Sequence, residues 1–203
     1  MIYLIGGPAR VGKSTLAEKV RREIDGHVLS GDAFVHSLQE NLQPEWLPDI
    51  FDHIAASVVA MEDPETIIDR LRRRDETMWQ FYQSYIATVL QHAPADDLLL
   101  DGNLWPDYLE LFDHKHRTAF LIDTSENEQV MRLKTIRDSG SDHNWMRGYD
   151  DAKVAAWAHF NALRSRRYKA LCEKTGYAFF DIAELGAVEA EQQAFAHLLQ
   201  EAS

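Results

Sequence analysis

The chain has 203 residues, enough to bury one sizeable hydrophobic core, and its 45% hydrophobic content is ordinary for a globular protein. Its net charge of −12 disfavours non-specific binding to nucleic acid, and no apolar run approaches the ~20 residues that span a bilayer. Cys172 is the only cysteine, which excludes an internal disulfide and a cysteine metal cluster. We therefore expect a cytoplasmic protein with no nucleic-acid or membrane partner, and the sequence leaves its oligomeric state open.

The first two predicted elements enclose a glycine-rich loop. Residues 2–5 form a short apolar run of strand-forming residues, which predicts a strand rather than a signal peptide. The sequence GPARVGKS at positions 7–14 then fits G-x-x-x-x-G-K-[ST] at every fixed position. A helix with one apolar face follows, marked by Leu16, Ala17, Val20 and Ile24. This strand–loop–helix context predicts a phosphate-binding loop.

Each fixed residue of the loop has a physical task. Gly7 and Gly12 allow backbone angles and close approach that a Cβ would prevent. The backbone N–H groups and the start of the helix attract phosphate oxygens, while Lys13 adds a mobile positive charge and Ser14 offers a hydroxyl to Mg²⁺. We predict nucleotide contacts from Gly7, Ala9, Arg10, Val11, Gly12, Lys13, Ser14 and Thr15.

Strand and helix patterns alternate along the rest of the chain, which indicates a parallel α/β sheet. Further strands are predicted at residues 27–30, 97–101, 118–122 and 177–181. Helices are predicted at residues 33–40, 126–137, 151–174 and 188–199. Residues 41–92 are predicted to be wholly helical, and a long helix within them opens at Asp63-Pro64-Glu65 and ends near His92. Residues 138–149 are polar and turn-rich, and they predict a flexible loop.

The phosphate loop and this alternation resemble the P-loop small-molecule kinases of the adenylate, shikimate and gluconate kinase type. The resemblance implies a three-layer α/β fold with a five-stranded parallel sheet of order 2-3-1-4-5 and helices on both faces. It also implies ATP and Mg²⁺ as cofactors and transfer of the γ-phosphate to a small-molecule acceptor. We expect one domain over residues 1–203, with an acceptor-binding helical insertion at about 41–92 and a lid at about 138–150.

Two aspartates follow predicted strands. Asp101 ends the third strand in LLLDGNLWP, which resembles the D-G-F-P-R of adenylate kinase and implies a role at Mg²⁺ beside Ser14. Asp32 comes directly after the second strand, where the resemblance implies that it binds the acceptor hydroxyl and takes its proton. The alternative for Asp32 is a cap of the helix predicted from Ala33.

Arginines dominate the predicted lid. Arg132 and Arg137 lie on the helix after the fourth strand, Arg147 lies in the polar loop, and Arg164 lies on the next helix. The resemblance implies that lid arginines close on the transferred phosphate, and we assign this to Arg137 and Arg147. A separate basic cluster at residues 70–74 is interpreted as a solvated helix face.

The acceptor side departs from the adenylate kinase pattern. Asn103-Leu104-Trp105 precede Pro106, and Asp107 stands where that pattern has an arginine. This weakens the alternative of a nucleoside monophosphate kinase proper. Trp105 is predicted to contact the acceptor. A GTPase switch is disfavoured because no Asn or Thr is followed by Lys, whereas a non-catalytic nucleotide sensor remains an alternative.

Overall fold

Five parallel strands form the sheet that positions the site. The structure is a computed structural model that describes residues 1–43, 45–46, 56–139 and 146–200. The strands are β1 (Ile2–Gly6), β2 (Gly26–Ser30), β3 (Asp97–Asp101), β4 (His116–Ile122) and β5 (Phe179–Asp181). Their order in the sheet is β2-β3-β1-β4-β5, which confirms the order 2-3-1-4-5 implied by the resemblance.

Helices cover both faces of this sheet. They are α1 (Lys13–Arg21), α2 (Gly31–Asn41), α3 (Ala56–Met61), α4 (Pro64–His92), α5 (Glu126–Asp138), α6 (Asp151–Thr175), α7 (Ile182–Leu185) and α8 (Ala187–Leu199). A 3₁₀ helix spans Pro106–Leu109. The prediction of helix across residues 41–92 includes α3, although it gave no separate bounds for it. The sequence patterns did not predict α7 or the 3₁₀ helix, because elements of four residues are too short to show an apolar period.

Alternation along the strands divides the core into two layers. On β1, Ile2 and Leu4 pack in the layer that contains residues of α4 and α6. Tyr3 and Ile5 pack in the other layer, with residues of α1 and α8. Successive side chains of a strand point to opposite faces, so a strand buried on both sides is apolar at every position.

The long helix α4 begins and ends where the sequence predicts. The Asp63 carboxylate accepts a hydrogen bond from the Thr66 backbone N–H at 3.0 Å, and Pro64 occupies the first turn. The helix ends at His92, before Pro94. Buried residues recur along one side of the helix at intervals of three and four, which fixes that face against the core.

The sheet register brings three loop regions to one edge. Ile5 of β1 and Ser30 of β2 are both in register with Asp101 of β3. The phosphate loop, the start of α2 and the residues after β3 therefore leave the sheet side by side. Carboxyl edges of parallel sheets are where ligands bind in doubly wound folds.

No helix in the described parts of the chain is long and apolar enough to cross a membrane.

Candidate nucleotide and acceptor site

The loop between β1 and α1 has a backbone suited to binding an anion. Gly7, Arg10 and Gly12 have positive φ angles of 131°, 64° and 91°. A Cβ on Gly7 would lie 2.0 Å from the Leu121 carbonyl oxygen, so the position requires glycine. Left-handed residues within such a loop turn successive N–H groups into a concave nest, and the N-terminus of α1 adds its free N–H groups.

Lys13 is the first residue of α1 and reaches back across the loop. Its Nζ donates a hydrogen bond to the Pro8 carbonyl oxygen at 2.6 Å. Burial lowers the pKa of this ammonium to about 8, while the negative charges of Asp32 and Asp101 oppose that shift. A poorly hydrated ammonium that donates to a neutral carbonyl is well prepared to bind phosphate oxygens.

Ser14 and Asp101 bring two oxygen ligands together. The Ser14 hydroxyl donates to Asp101 Oδ2 at 3.4 Å, and Asp101 is 7% exposed at the end of β3. Burial raises the pKa of Asp101, and the nearby charge of Lys13 acts in the opposite direction. Within the described residues, no group of three or more His, Cys, Asp or Glu side chains forms a metal site. Mg²⁺ that is bound together with phosphates needs only one or two carboxylates, so this pair fits it.

One cavity of about 640 Å³ joins these groups. It is lined by residues 9–15, Asp32, Asp101, Gly102, Asn103, Arg132, Ile136, Ile182, Ala187 and Glu191. The predicted loop residues from Ala9 to Thr15 therefore share one space with Asp32 and Asp101. Trp105, Arg137 and Arg147 are not among its lining residues.

Asp32 lies in the first turn of α2, which begins at Gly31. The position before the helix is Ser30, whose side chain makes no capping hydrogen bond. Asp32 is therefore not the cap of a helix that starts at Ala33, as the alternative had it. Its carboxylate is exposed to the cavity, and its charge acts on both Arg10 and Lys13.

Arg132 is fixed in the cavity wall by a buried aspartate that the sequence patterns did not single out. Its Nη1 donates to Asp123 Oδ2 at 2.5 Å, and Asp123 is fully buried at the end of β4. The other oxygen of Asp123 accepts from the Ser125 backbone N–H at 3.1 Å. In the described part of the chain, Nε and Nη2 of Arg132 have no hydrogen-bond partner. Two donors of this cavity-lining arginine are thus buried without a partner among the described residues.

The two arginines assigned to the lid lie elsewhere. Arg137 bonds Asp138 and Asp151 at 2.8 and 2.7 Å and so links the end of α5 to the start of α6. The side chain of Arg147 is exposed. Residues 140–145 of the predicted lid lie outside the described residues. The assignment of both arginines to the transferred phosphate stays a prediction.

Trp105 is packed in the core. It is 0% exposed, its ring stacks on Tyr168 at 4.3 Å, and its Nε1 donates to Asp75 Oδ2 at 2.9 Å. No surface of the indole is open to an acceptor in this arrangement, so the structure gives Trp105 a packing role. Its contact with the acceptor stays a prediction.

The basic cluster on α4 is not uniformly solvated. Arg72 donates to Asp107 Oδ2 at 2.6 Å, and Arg74 donates to the buried Asp75 at 3.0 Å. Both side chains are mostly covered, whereas Arg73 is exposed. The interpretation as a solvated face is therefore wrong for Arg72 and Arg74, because their partners lie on the core side of α4.

Arg164 is a buried cation on α6. It is 2% exposed, its guanidinium lies 5.9 Å from the Trp105 ring centre and 5.6 Å from that of Phe160, and its Nε and Nη2 have no hydrogen-bond partner among the described residues. Its charge contributes to the lowered pKa of Lys13. Two neighbouring buried cations make the region around the phosphate loop strongly attractive to an anion.

Comparisons with known proteins support the fold. Neither a protein-family model nor a curated protein matches the sequence. The chain is similar to a solved structure of shikimate kinase from Bacteroides thetaiotaomicron, with a TM-score of 0.53 and 13% identity over 95% of each chain. A putative kinase from Chloroflexus aurantiacus gives a TM-score of 0.47 and 17% identity over 97% of each chain. An uncharacterized protein from Eubacterium ventriosum gives a TM-score of 0.48 and 13% identity over 98% of this chain and 97% of that protein.

The first of these likenesses agrees with the observed sheet order and helix layers. The chain therefore has a fold like that of the P-loop small-molecule kinases. At this level of identity the likeness concerns the fold alone.

Proposed function

We propose that the protein is an ATP-dependent phosphotransferase that moves the γ-phosphate of ATP to a small-molecule acceptor. One observation carries the proposal. The phosphate loop with Lys13, the Ser14–Asp101 pair and Asp32 all open onto the same cavity at the carboxyl edge of the sheet. A nucleotide-binding loop alone fits many functions, whereas a separate carboxylate facing the phosphates favours transfer to a second substrate.

The loop binds the phosphates of ATP through its backbone. Its inward N–H groups and the first N–H groups of α1 bond the phosphate oxygens. Lys13 exchanges its bond to the Pro8 carbonyl for bonds to the outer phosphates, since both partners lie within reach of the same flexible side chain. This exchange replaces a neutral partner by a charged one, which strengthens the hydrogen bond.

Ser14 and Asp101 are the residues that would hold Mg²⁺, either directly or through water. When bound, Mg²⁺ neutralises part of the charge on the phosphates and draws electron density from the leaving oxygen. The negative charge of Asp101 also acts on the Lys13 ammonium.

Asp32 receives the acceptor. Its carboxylate accepts a hydrogen bond from the acceptor hydroxyl and directs that oxygen toward the γ-phosphorus. In the transfer, a bond forms between the acceptor oxygen and the γ-phosphorus while the bond from phosphorus to the β,γ-bridging oxygen breaks. The electron pair of the broken bond leaves with ADP, and the hydroxyl proton passes to Asp32.

A nucleoside monophosphate is not favoured as the acceptor. The arginine that the adenylate kinase pattern would place beside Pro106 is replaced by Asp107. In the structure, Asp107 neutralises Arg72 at 2.6 Å. The carboxylate therefore neutralises Arg72, and this position supplies no cation of its own.

A transfer screen tests the proposal. The protein is incubated with Mg²⁺ and γ-labelled ATP against a panel of hydroxyl-bearing and phosphate-bearing metabolites that includes nucleoside monophosphates. We expect label to move to one acceptor class with wild-type protein and with Lys174→Ala, an exposed lysine at the end of α6, but not with Lys13→Ala. Binding of ATP without transfer to any acceptor would favour the nucleotide sensor instead. Failure to bind any nucleoside triphosphate at millimolar concentration would contradict both functions.

A further inference from the structure

Arg10 has an unusual backbone for an arginine. Its φ angle is 64°, and among the described residues it is the only one other than glycine with a positive φ. The left-handed conformation is unfavourable for a residue with a Cβ and a long side chain, and glycine adopts it freely. The fourth position of the phosphate loop thus carries a side chain although its backbone conformation favours none.

Arg10 belongs to the wall of the ligand space. Arg10 lines the same cavity as Lys13 and Asp32. Burial lowers the pKa of its guanidinium, and the negative charge of Asp32 opposes that shift. Arg10 is therefore partly withdrawn from water and lies near the carboxylate assigned to the acceptor.

We propose that the Arg10 side chain binds the phosphoryl group during its transfer, from the side of the acceptor. The inference rests on the proposed phosphotransferase function. The transferred group passes from the phosphate loop toward the hydroxyl held by Asp32. Arg10 is part of the phosphate loop and lines the same cavity as Asp32. Lys13 lies at the start of α1, and Arg10 adds a second cation from the middle of the same loop.

The chemistry of a guanidinium suits this position. The phosphoryl group in transfer carries charge spread over three equatorial oxygens, and a planar guanidinium donates several hydrogen bonds in fixed directions. Its bonds strengthen as the group moves toward the acceptor, so its main effect is on turnover rather than on nucleotide binding. The negative charge of Asp32 favours the charged form of the guanidinium.

A purely structural role makes the opposite prediction for one substitution. If the loop needs only the left-handed backbone at this position, Arg10→Gly keeps that backbone without strain and retains activity. If the guanidinium binds the phosphoryl group, Arg10→Gly folds at least as stably as the wild type and still loses turnover. The same variant therefore separates the two roles, and its melting temperature reports that it is folded.

The experiment compares Arg10→Gly, Arg10→Lys and the exposed control Arg73→Ala. With the acceptor found by the transfer screen, we expect Arg10→Gly to lower kcat ~10²-fold or more, while its dissociation constant for Mg-ADP changes by less than about threefold. Arg10→Lys keeps the charge but not the planar fork, and it should recover only part of the rate. Arg73→Ala should match the wild type. A kcat of Arg10→Gly within about threefold of wild type would overturn the inference.

A second readout needs no acceptor. Calorimetry measures the affinity for Mg-ADP with and without aluminium fluoride, which mimics the planar phosphoryl group in transfer, with water in place of the acceptor. We expect aluminium fluoride to tighten binding to the wild type and to tighten it ~10-fold less in Arg10→Gly. An equal gain in both proteins would overturn the inference while leaving the proposed function intact. Absence of nucleotide binding by the wild type would instead refute the proposed function, and the inference with it.

Discussion

Above neutral pH, this protein should take up a proton when it binds a nucleotide. The perturbation is the bound phosphate, which replaces the Pro8 carbonyl as the partner of the Lys13 ammonium. Burial lowers the pKa of Lys13 to about 8 in the free protein. A phosphate group beside the ammonium favours its charged form and raises that pKa again. Lysines that have lost their proton must therefore regain it when ATP binds.

The size of the effect follows from the pKa. With a pKa of about 8, roughly 90% of the free protein carries the Lys13 proton at pH 7 and roughly 10% at pH 9. Each ATP bound should then take up about 0.1 proton at pH 7 and about 0.9 proton at pH 9, and the contribution of Lys13 to affinity should fall about tenfold between them. A tenfold change in affinity corresponds to about 1.4 kcal/mol.

Isothermal calorimetry in two buffers of different ionisation enthalpy measures the number of protons taken up. Lys13→Arg is the matched control, because a guanidinium stays charged throughout this range. Subtracting the proton uptake of Lys13→Arg from that of the wild type removes the protons that ATP itself takes up or releases. Equal proton uptake by both proteins at pH 9 would refute the reasoning, since it would mean that Lys13 keeps its proton in the free protein.

The same lowered pKa predicts the sign of a stability change. The unfolded chain binds the Lys13 proton up to an ordinary pKa of 10.5, whereas the folded chain releases it near pH 8. Between these values the unfolded state holds more protons, so the contribution of Lys13 to the free energy of unfolding rises with pH. Denaturant titrations of wild type and Lys13→Arg across this window, without nucleotide, measure the difference. A contribution that falls with rising pH would contradict the assignment.

Three substitutions test other parts of the site. Asp101→Asn should raise the Mg²⁺ concentration needed for half-maximal activity while metal-free nucleotide binding persists, and an unchanged Mg²⁺ requirement would mean that Asp101 only ends β3. Asp32→Asn should bind ATP normally and lose on the order of 10²–10⁴ in transfer rate, and full transfer would remove Asp32 from the chemistry. Trp105→Phe removes the indole bond to Asp75 and should lower the free energy of unfolding by about 1–3 kcal/mol, with the KM for the acceptor unchanged. A raised KM without a stability loss would instead place Trp105 at the acceptor.

The sequence predicted those parts of the fold whose signal is local or periodic. The β3 prediction at residues 97–101 has the observed bounds, because three consecutive buried leucines lie between two aspartates. The start of α4 was equally clear, because Asp63 caps the helix and Pro64 occupies its first turn. Short elements and exact ends were missed: α1 ends at Arg21 although Ile24 continues its apolar spacing. An apolar side chain beyond a helix end packs on the core as well as one inside the helix.

The site was predictable only where side-chain direction follows from the backbone. The sheet fixes the positions of the phosphate loop and of the carboxyl ends of β2 and β3. Asp32 and Asp101 follow or end these strands, so both line the cavity. The directions of arginines depend on partners distant in sequence. Arg132 is held by Asp123, nine residues away, and Arg137 is paired with Asp151, fourteen residues away. The sequence shows neither pairing, since every helix in this region carries several residues of both charges.

Two arginines in or near the phosphate loop are exceptions to local rules. Arg10 adopts a backbone conformation that favours glycine, and Arg164 is a buried cation whose Nε and Nη2 find no partner in the described chain. Folded proteins tolerate such costs where a ligand later offsets them. A polyanion bound at the loop would supply the charge that both guanidiniums and Lys13 attract. The protein carries a net charge of −12, so the general field repels anions, and the concentration of cations at the loop must overcome that field locally. The residues that are hardest to explain by folding alone are therefore those whose cost a bound polyanion would offset.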